Sequence, residues 1–240
     1  KMQKKVAPFI KRIITPSKSS KKGIVDEFNC NKANITVINN GLDTNEFSPV
    51  NEVKRNEYRL ITTASADVPL KGLDFSLKAL KKLKKDFPNI HLIVIGLIKK
   101  GGHTEKLIRK LGLENDVTFK SNLTKNEIKD CYSKSSIAIV SSLYEGFGYP
   151  VIEAMSCEIP LIATNVSSIP ELTSEFAKLV DPKNEEMIYQ SVKDILSEYD
   201  KYKKIAIKGR QHVIKNFNWI KITDEYENAI FETIKNYEKC

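Results

Sequence analysis

Apolar positions recur in this chain with two different periods, and the two periods take turns. Short runs rich in β-branched residues have the length of strands: Tyr58–Thr63, Ile90–Ile95, Val117–Lys120, Ile137–Val140, Pro160–Thr164 and Lys178–Asp181. Between them the apolar residues fall three or four apart. In Gly72–Phe87 the residues Leu73, Leu77, Leu80 and Phe87 make one stripe, Lys78, Lys81, Lys82 and Lys85 fall mostly elsewhere, and Pro88 stops the helix. Thr104–Leu111 reads as a short helix closed by Gly112. Thr124 and Glu127 have capping-box spacing ahead of Ile128, Cys131 and Tyr132, and Ser168 and Glu171 repeat that spacing. Three helical segments follow, Asn184–Glu198, Tyr202–Asn216 and Trp219–Tyr237. Strands alternating with helices predict an α/β fold, a Rossmann-like parallel sheet with helices on both faces. A ligand would then lie outside the carboxyl ends of the strands.

The first residues carry a second, smaller pattern. Arg12–Thr15 and Asn34–Ile38 read as strands, and a helix begins after Ser17 with Ile24, Val25 and Phe28 on one face. Asn39-Asn40-Gly41-Leu42-Asp43 is turn chemistry.

Composition narrows the class. A length of 240 residues with 41% hydrophobic content suits one large core or two small ones. No apolar run approaches the roughly 18 residues of a membrane helix. The early run Phe9–Ile14 is broken by Lys11 and Arg12 and is too short for a secretory signal. Cys30, Cys131, Cys157 and Cys240 lack the spacing of a disulfide frame or zinc site and read as reduced thiols of a cytosolic protein. His91, His103 and His212 lie far apart, so no metal is expected, and His91 reads as a structural histidine. The net charge of +9 invites nucleic acid or an anionic membrane surface as partner. The lysines are spread over solvated helix faces, however, with no aromatic residues interleaved, which favours a plain solvated surface; peripheral membrane contact is the alternative.

The chemistry concentrates in Tyr144-Glu145-Gly146-Phe147-Gly148-Tyr149-Pro150-Val151-Ile152-Glu153. It follows the apolar strand Ile137–Val140, and Pro150 suits the first position of a helix. Gly146 and Gly148 let a ligand approach the backbone, and free N–H groups of the first helical turn favour a phosphate. Glu145 precedes the loop, and Glu153 is expected in the first turn, leaning toward the same opening. Two hydroxyl acceptors beside phosphate-binding N–H groups suit a sugar nucleotide. A second basic candidate is Lys71, in the loop Ala66–Gly72 at the end of the first main strand, where it could neutralise a diphosphate. By itself it reads as a solvated loop lysine. The loop Lys99-Lys100-Gly101-Gly102 is basic too, and reads as solvated.

Glu145 and Glu153, with seven residues between them around Gly-Phe-Gly, resemble the E-x7-E motif of retaining glycosyltransferases of family four, which have the GT-B fold. Lys71-Gly72 resembles the end of that family's Gly-Arg-x4-Lys-Gly pattern, but Ser65 stands at the glycine and Ala66 at the arginine. Asn40-Gly41-Leu42-Asp43 with Phe47-Ser48-Pro49 is similar to the interdomain linker. Glu158, Ser167 and Ser168 stand where the family has glycines that ease left-handed turns.

The resemblance implies the donor-binding C-terminal half of a GT-B enzyme. Residues 1–48 would be the remnant of the N-terminal acceptor domain with the linker, 49–218 the donor domain and 219–240 a crossover helix. Glu145 would act near the reaction centre and Glu153 would bind the ribose. The backbone of Gly146, Phe147, Gly148 and Tyr149 would hold sugar or phosphate, Lys71 would neutralise the leaving diphosphate, and Lys120–Leu123 would meet the base. The nucleotide sugar is a substrate, no cofactor or metal is implied, and the acceptor is unspecified. An acceptor domain must come from a longer precursor or a second chain. The competing readings are a nucleotide-sugar binding module without transfer and a basic nucleic-acid-binding protein.

Overall fold

The computed structural model of the protein describes residues 2–50 and 53–237. After a short helix α1 (Met2–Val6), strand β1 (Ile13–Thr15), helix α2 (Lys18–Phe28) and strand β2 (Ile35–Val37) form a right-sized crossover unit, and the two strands pair in parallel. Ser17 is the N-cap of α2, and its hydroxyl accepts from the Ser20 N–H.

The main sheet follows. In chain order it contains β3 (Asn56–Thr63), α3 (Leu73–Asp86), β4 (His91–Ile95), α4 (His103–Leu111), β5 (Val117–Lys120), α5 (Lys125–Ser133) and β6 (Ser135–Val140). Then come α6 (Tyr149–Ser156), β7 (Leu161–Thr164), α7 (Ile169–Thr173), β8 (Lys178–Val180), α8 (Glu185–Ser197), α9 (Tyr199–Phe217) and α10 (Trp219–Tyr237). All six strands are parallel, in the order β5-β4-β3-β6-β7-β8. The order runs outward from β3 on one side and from β6 on the other. The chain reverses direction between these two strands, and the crevice above their carboxyl ends is where such sheets bind ligands.

Strand periodicity sorts the core into two. Leu60, Leu92, Val94, Ile137, Ile139 and Ile162 face α3, α4 and α8. Their neighbours Ile61, Ile93, Ile95, Ala138, Val140, Leu161 and Ala163 face α5, α6, α7 and α9. Helix α3 buries Leu73, Leu77, Leu80 and Leu83, each contributing about 1.5–3 kcal/mol of burial. The expected capping box of Thr124 and Glu127 is formed at α5, and Gly112 closes α4 in the left-handed region at φ 65°. Helix α10 packs Ile222 and Ala229 against Ile38 beside the small sheet.

Several expectations are corrected. Helix α6 begins at Tyr149, so Pro150 is its second residue and Glu153 lies in the second turn, not the first. Gly148 takes the N-cap at φ 114°, a conformation L side chains avoid, which lets the helix start one residue before the proline. Ser168 and Glu171 do not form a capping box, because both side chains bond elsewhere. Glu158 and Ser167 take left-handed φ values of 52° and 49° despite their side chains, at a cost of about 1–2 kcal/mol each. Cys30, Cys131 and Cys157 are free and buried; Cys240 lies outside the described residues.

Candidate functional site

Two loops meet above β3 and β6. The first, after β3, ends in a tight turn Pro69–Lys71 followed by Gly72 at φ 61°. A Cβ on Gly72 would stand 1.9 Å from the Ser141 carbonyl oxygen, so only glycine lets the loops touch. Leu143 N–H donates to the Leu70 carbonyl at 2.7 Å, and Ser141 Oγ donates to the Gly72 carbonyl at 3.0 Å. The contact delivers Lys71 to Glu145: Nζ lies 2.7 Å from Oε1. Ser142 Oγ donates to the same oxygen at 2.7 Å. Glu145 is 9% exposed, a buried carboxylate with a cation and a hydroxyl on one oxygen.

The backbone from Glu145 to Gly148 is polarised in one sense. Its carbonyls are tied down: Ser168 Oγ is shared between those of Glu145, at 2.9 Å, and Phe147. Ser17 Oγ and Ser20 Oγ donate to that of Gly146 at 2.8 and 2.9 Å, and Gly148 accepts from the Val151 N–H. Among the described residues, none of the N–H groups of Gly146, Phe147 and Gly148 finds an acceptor. Fixed carbonyls and free N–H groups leading into a helix make a concavity suited to an anion. The Phe147 ring is buried, edge-on to Tyr149 and Phe217, so it anchors the loop.

Glu153 enters from α6. Its Oε2 accepts from the Tyr132 phenol at 3.3 Å, and Tyr132 is in turn 3.1 Å from Thr63 Oγ1 at the end of β3. Burial pushes Glu153 up to about 7, with the phenol pulling weakly the other way. Burial holds Tyr132 well above its ordinary value, so it remains a donor.

All seven predicted site residues are therefore in one neighbourhood. Ala66 contributes no cation, and its neighbour Asp67 caps α4 by accepting from the Thr104 N–H at 2.8 Å. Lys120–Leu123 leads out of β5, at the same end of the sheet. A groove of about 830 Å³ lies elsewhere, along α2 and β2, and is lined by Lys18, Lys21, Lys22 and Lys32. Among the described residues no group of three His, Cys, Asp or Glu could hold a metal, and no helix is long and apolar enough to cross a membrane.

Sequence reasoning missed the supports. Tyr132 was legible only as an apolar-face residue, Ser168 only as a helix cap, and Ser142 carried no signal. Arg55 donates to the carbonyls of Tyr132, Ser135, Cys157 and Glu158, bracing the start of β6 against the end of α6. Arg210 does the same for the stretch ahead of β3, donating to the carbonyls of Thr44, Phe47 and Ser156. No local spacing announces either arginine.

A six-stranded parallel sheet, flanked by helices and carrying this crevice at its reversal point, defines the chain as an α/β domain of the GT-B glycosyltransferase type. Residues 44–212 match the family of glycosyl transferases group 1, and the chain belongs to that family. It is 31% identical to MMP α-(1→4)-mannosyltransferase of Mycolicibacterium hassiacum, over 100% of this chain and 56% of that protein. The crystal structure of a glycosyltransferase from Rickettsia africae superposes with a TM-score of 0.84 at 25% identity, covering 98% of this chain and 68% of the other. Anabaena HepE, solved in complex with UDP-glucose, shares the fold with a TM-score of 0.84 at 20% identity, over 95% of this chain and 65% of its own. The chain spans about half the length of the curated relatives it matches.

Proposed function

We propose that the chain is the donor-binding half of a retaining glycosyltransferase that moves a sugar from a nucleotide sugar to an acceptor. The observation that carries this reading is the contact of Lys71 with Glu145, which joins the loops after β3 and β6 beside a row of free N–H groups. The diphosphate of a donor would lie on those N–H groups. It would draw Lys71 from Glu145, so the cation meets the charge that grows on the leaving group. Glu145, freed on one oxygen but still held by Ser142, would accept from the sugar hydroxyls near the reaction centre. Glu153 would accept from the ribose. Each role is electrostatic or positional and needs no metal. Retention follows from the resemblance of the two glutamates to the E-x7-E motif.

Residues 1–48 would close an acceptor domain whose remainder comes from a longer chain or a second one, with 49–218 as donor domain and 219–240 as crossover. HepE, of the same fold, was solved with UDP-glucose, which makes a nucleotide sugar the natural probe.

Calorimetric titration with UDP-glucose, UDP-N-acetylglucosamine and GDP-mannose tests the reading. One donor should bind the wild type, and Glu153→Ala should weaken it about 10-fold, the loss of a hydrogen bond to a charged acceptor. Failure of every donor, or equal binding by the variant, overturns the assignment. Binding without transfer, once an acceptor domain is supplied, would leave a binding module.

A further inference from the structure

The donor loop is held from outside its own domain. Two hydroxyls of the first turn of α2, Ser17 Oγ and Ser20 Oγ, converge on the Gly146 carbonyl at 2.8 and 2.9 Å. That turn is held in return. Glu171, on α7, accepts from the Lys18 N–H at 3.0 Å and from the Ser19 N–H at 3.1 Å, one on each carboxylate oxygen. The Ser20 N–H goes to Ser17 Oγ. The first free N–H groups of α2 are thus satisfied, two of them by a carboxylate more than 150 positions away in sequence. Ser17 is completely buried in this contact.

The geometry has a direct consequence for the crevice. In a trans peptide the carbonyl and the next N–H point in opposite directions. Two hydroxyls drawing the Gly146 carbonyl toward α2 therefore turn the Phe147 N–H away from α2. Among the described residues no side chain of the main domain bonds the Gly146 carbonyl; Ser168 acts on the flanking carbonyls of Glu145 and Phe147.

We propose that Ser17, Ser20 and Glu171 are positioning residues of the donor site, so that seating of the β1–α2–β2 unit on the main domain and donor binding are coupled. This rests on the donor-site reading above. Coupling is reciprocal: a seated α2 raises donor affinity, and bound donor tightens α2 onto Glu171.

The test uses the whole chain with Ser20→Ala, Glu171→Gln and their combination, which leave the Ser17 cap in place, and Ser20→Thr as a variant that keeps the hydroxyl. Hydrogen exchange of residues 17–22 is read first without ligand. Glu171→Gln should speed it; unchanged exchange overturns the clasp whether or not a donor binds. Exchange is then read with saturating UDP-glucose or GDP-mannose, whichever the titration shows to bind. Donor should slow exchange at 17–22 in the wild type. The double variant should lose that slowing and bind donor about 5–20-fold more weakly, the effect of one or two hydrogen bonds, with Ser20→Thr close to wild type. A role confined to stability would lower the melting temperature and leave donor affinity and the donor-induced slowing intact, and that result overturns the proposal. If no nucleotide sugar binds the wild type, the donor-site reading itself fails and the coupling falls with it.

Discussion

Glu145 has Lys71 Nζ and Ser142 Oγ both at 2.7 Å from one oxygen, whereas Glu153 has, among the described residues, one hydrogen-bond partner, the Tyr132 phenol at 3.3 Å. Glu145 is buried just after β6, and Glu153, half-buried on α6, reaches the end of β3 through Tyr132 and Thr63. One is compensated by a cation carried on another loop. The other has no charged partner among the described residues, and burial raises it to about 7. The pair shows how one short motif yields two electrostatic states: the loop residue is reached by the β3 exit loop, and the helix residue faces an aromatic side chain of α5. A ligand that brings its own negative charge would compete for Lys71 at the first glutamate. A ligand that brings hydroxyls would favour ionisation at the second.

The largest expected effect comes from the uncompensated side. The folded chain holds the Glu153 proton more tightly than the unfolded chain does, since about 7 exceeds the roughly 4.3 of an unfolded glutamate. The stability this lends is complete below the unfolded value and is lost as pH rises through about 7. Glu153→Gln removes the dependence. Thermal melts of variant and wild type should nearly coincide at about pH 4, and at about pH 8.5 the variant should be more stable by on the order of 3 kcal/mol. Parallel melting curves across that range would show that Glu153 is not held near neutrality. Donor affinity should move the other way, rising with pH in the wild type, because the ionised carboxylate is the better hydroxyl acceptor.

Lys71→Ala would erase the contrast by making Glu145 resemble Glu153, a buried carboxylate without a cation. Donor binding by calorimetry should weaken by about 10–100-fold, the range for a hydrogen bond between charged groups, and Lys71→Arg should recover part of it. A loss under about 3-fold would mean that the Lys71 charge does not reach the donor.

The sequence carried the sheet and the two glutamates because both are local. Strand runs such as Ile137–Val140 and the stripe of α3 show their period within one element, and the spacing of Glu145 and Glu153 lies within a single turn and helix. What determines the difference between the glutamates is not local. Lys71 lies 74 positions from Glu145, and the hydroxyls on Gly146 come from 126 and 129 positions away. Glu171 had a valid capping-box spacing with Ser168, and tertiary contacts took both side chains to other partners. The left-handed Glu158 and Ser167 make the same point for the backbone: packing around the turn outweighs a local preference of about 1–2 kcal/mol. Whether a carboxylate is paired with a cation depends on which strand lies next to which, and that is settled only when the sheet assembles.

The smallest change refines the comparison from the side of the phenol. Tyr132→Phe keeps the ring, which is 2% exposed and fills the core under β3 and β6, and deletes one hydroxyl. Two bonds go with it, the one received by Glu153 and the one shared with Thr63. The ring packing is unchanged, so stability should fall by only about 1 kcal/mol, the ordinary worth of a lost hydrogen bond. The effect on Glu153 is directional. The phenol is the one influence that lowers its pKa, so without it the carboxyl should hold its proton to higher pH. The pH at which donor binding reaches its full strength should therefore move up. Near pH 7 the variant should bind donor a few-fold more weakly, about 2–5-fold, and at about pH 9 the two proteins should converge, because both are then ionised. A constant deficit at every pH would mean that the phenol orients Glu153 without tuning its charge, and no deficit at any pH would mean that the 3.3 Å contact is incidental.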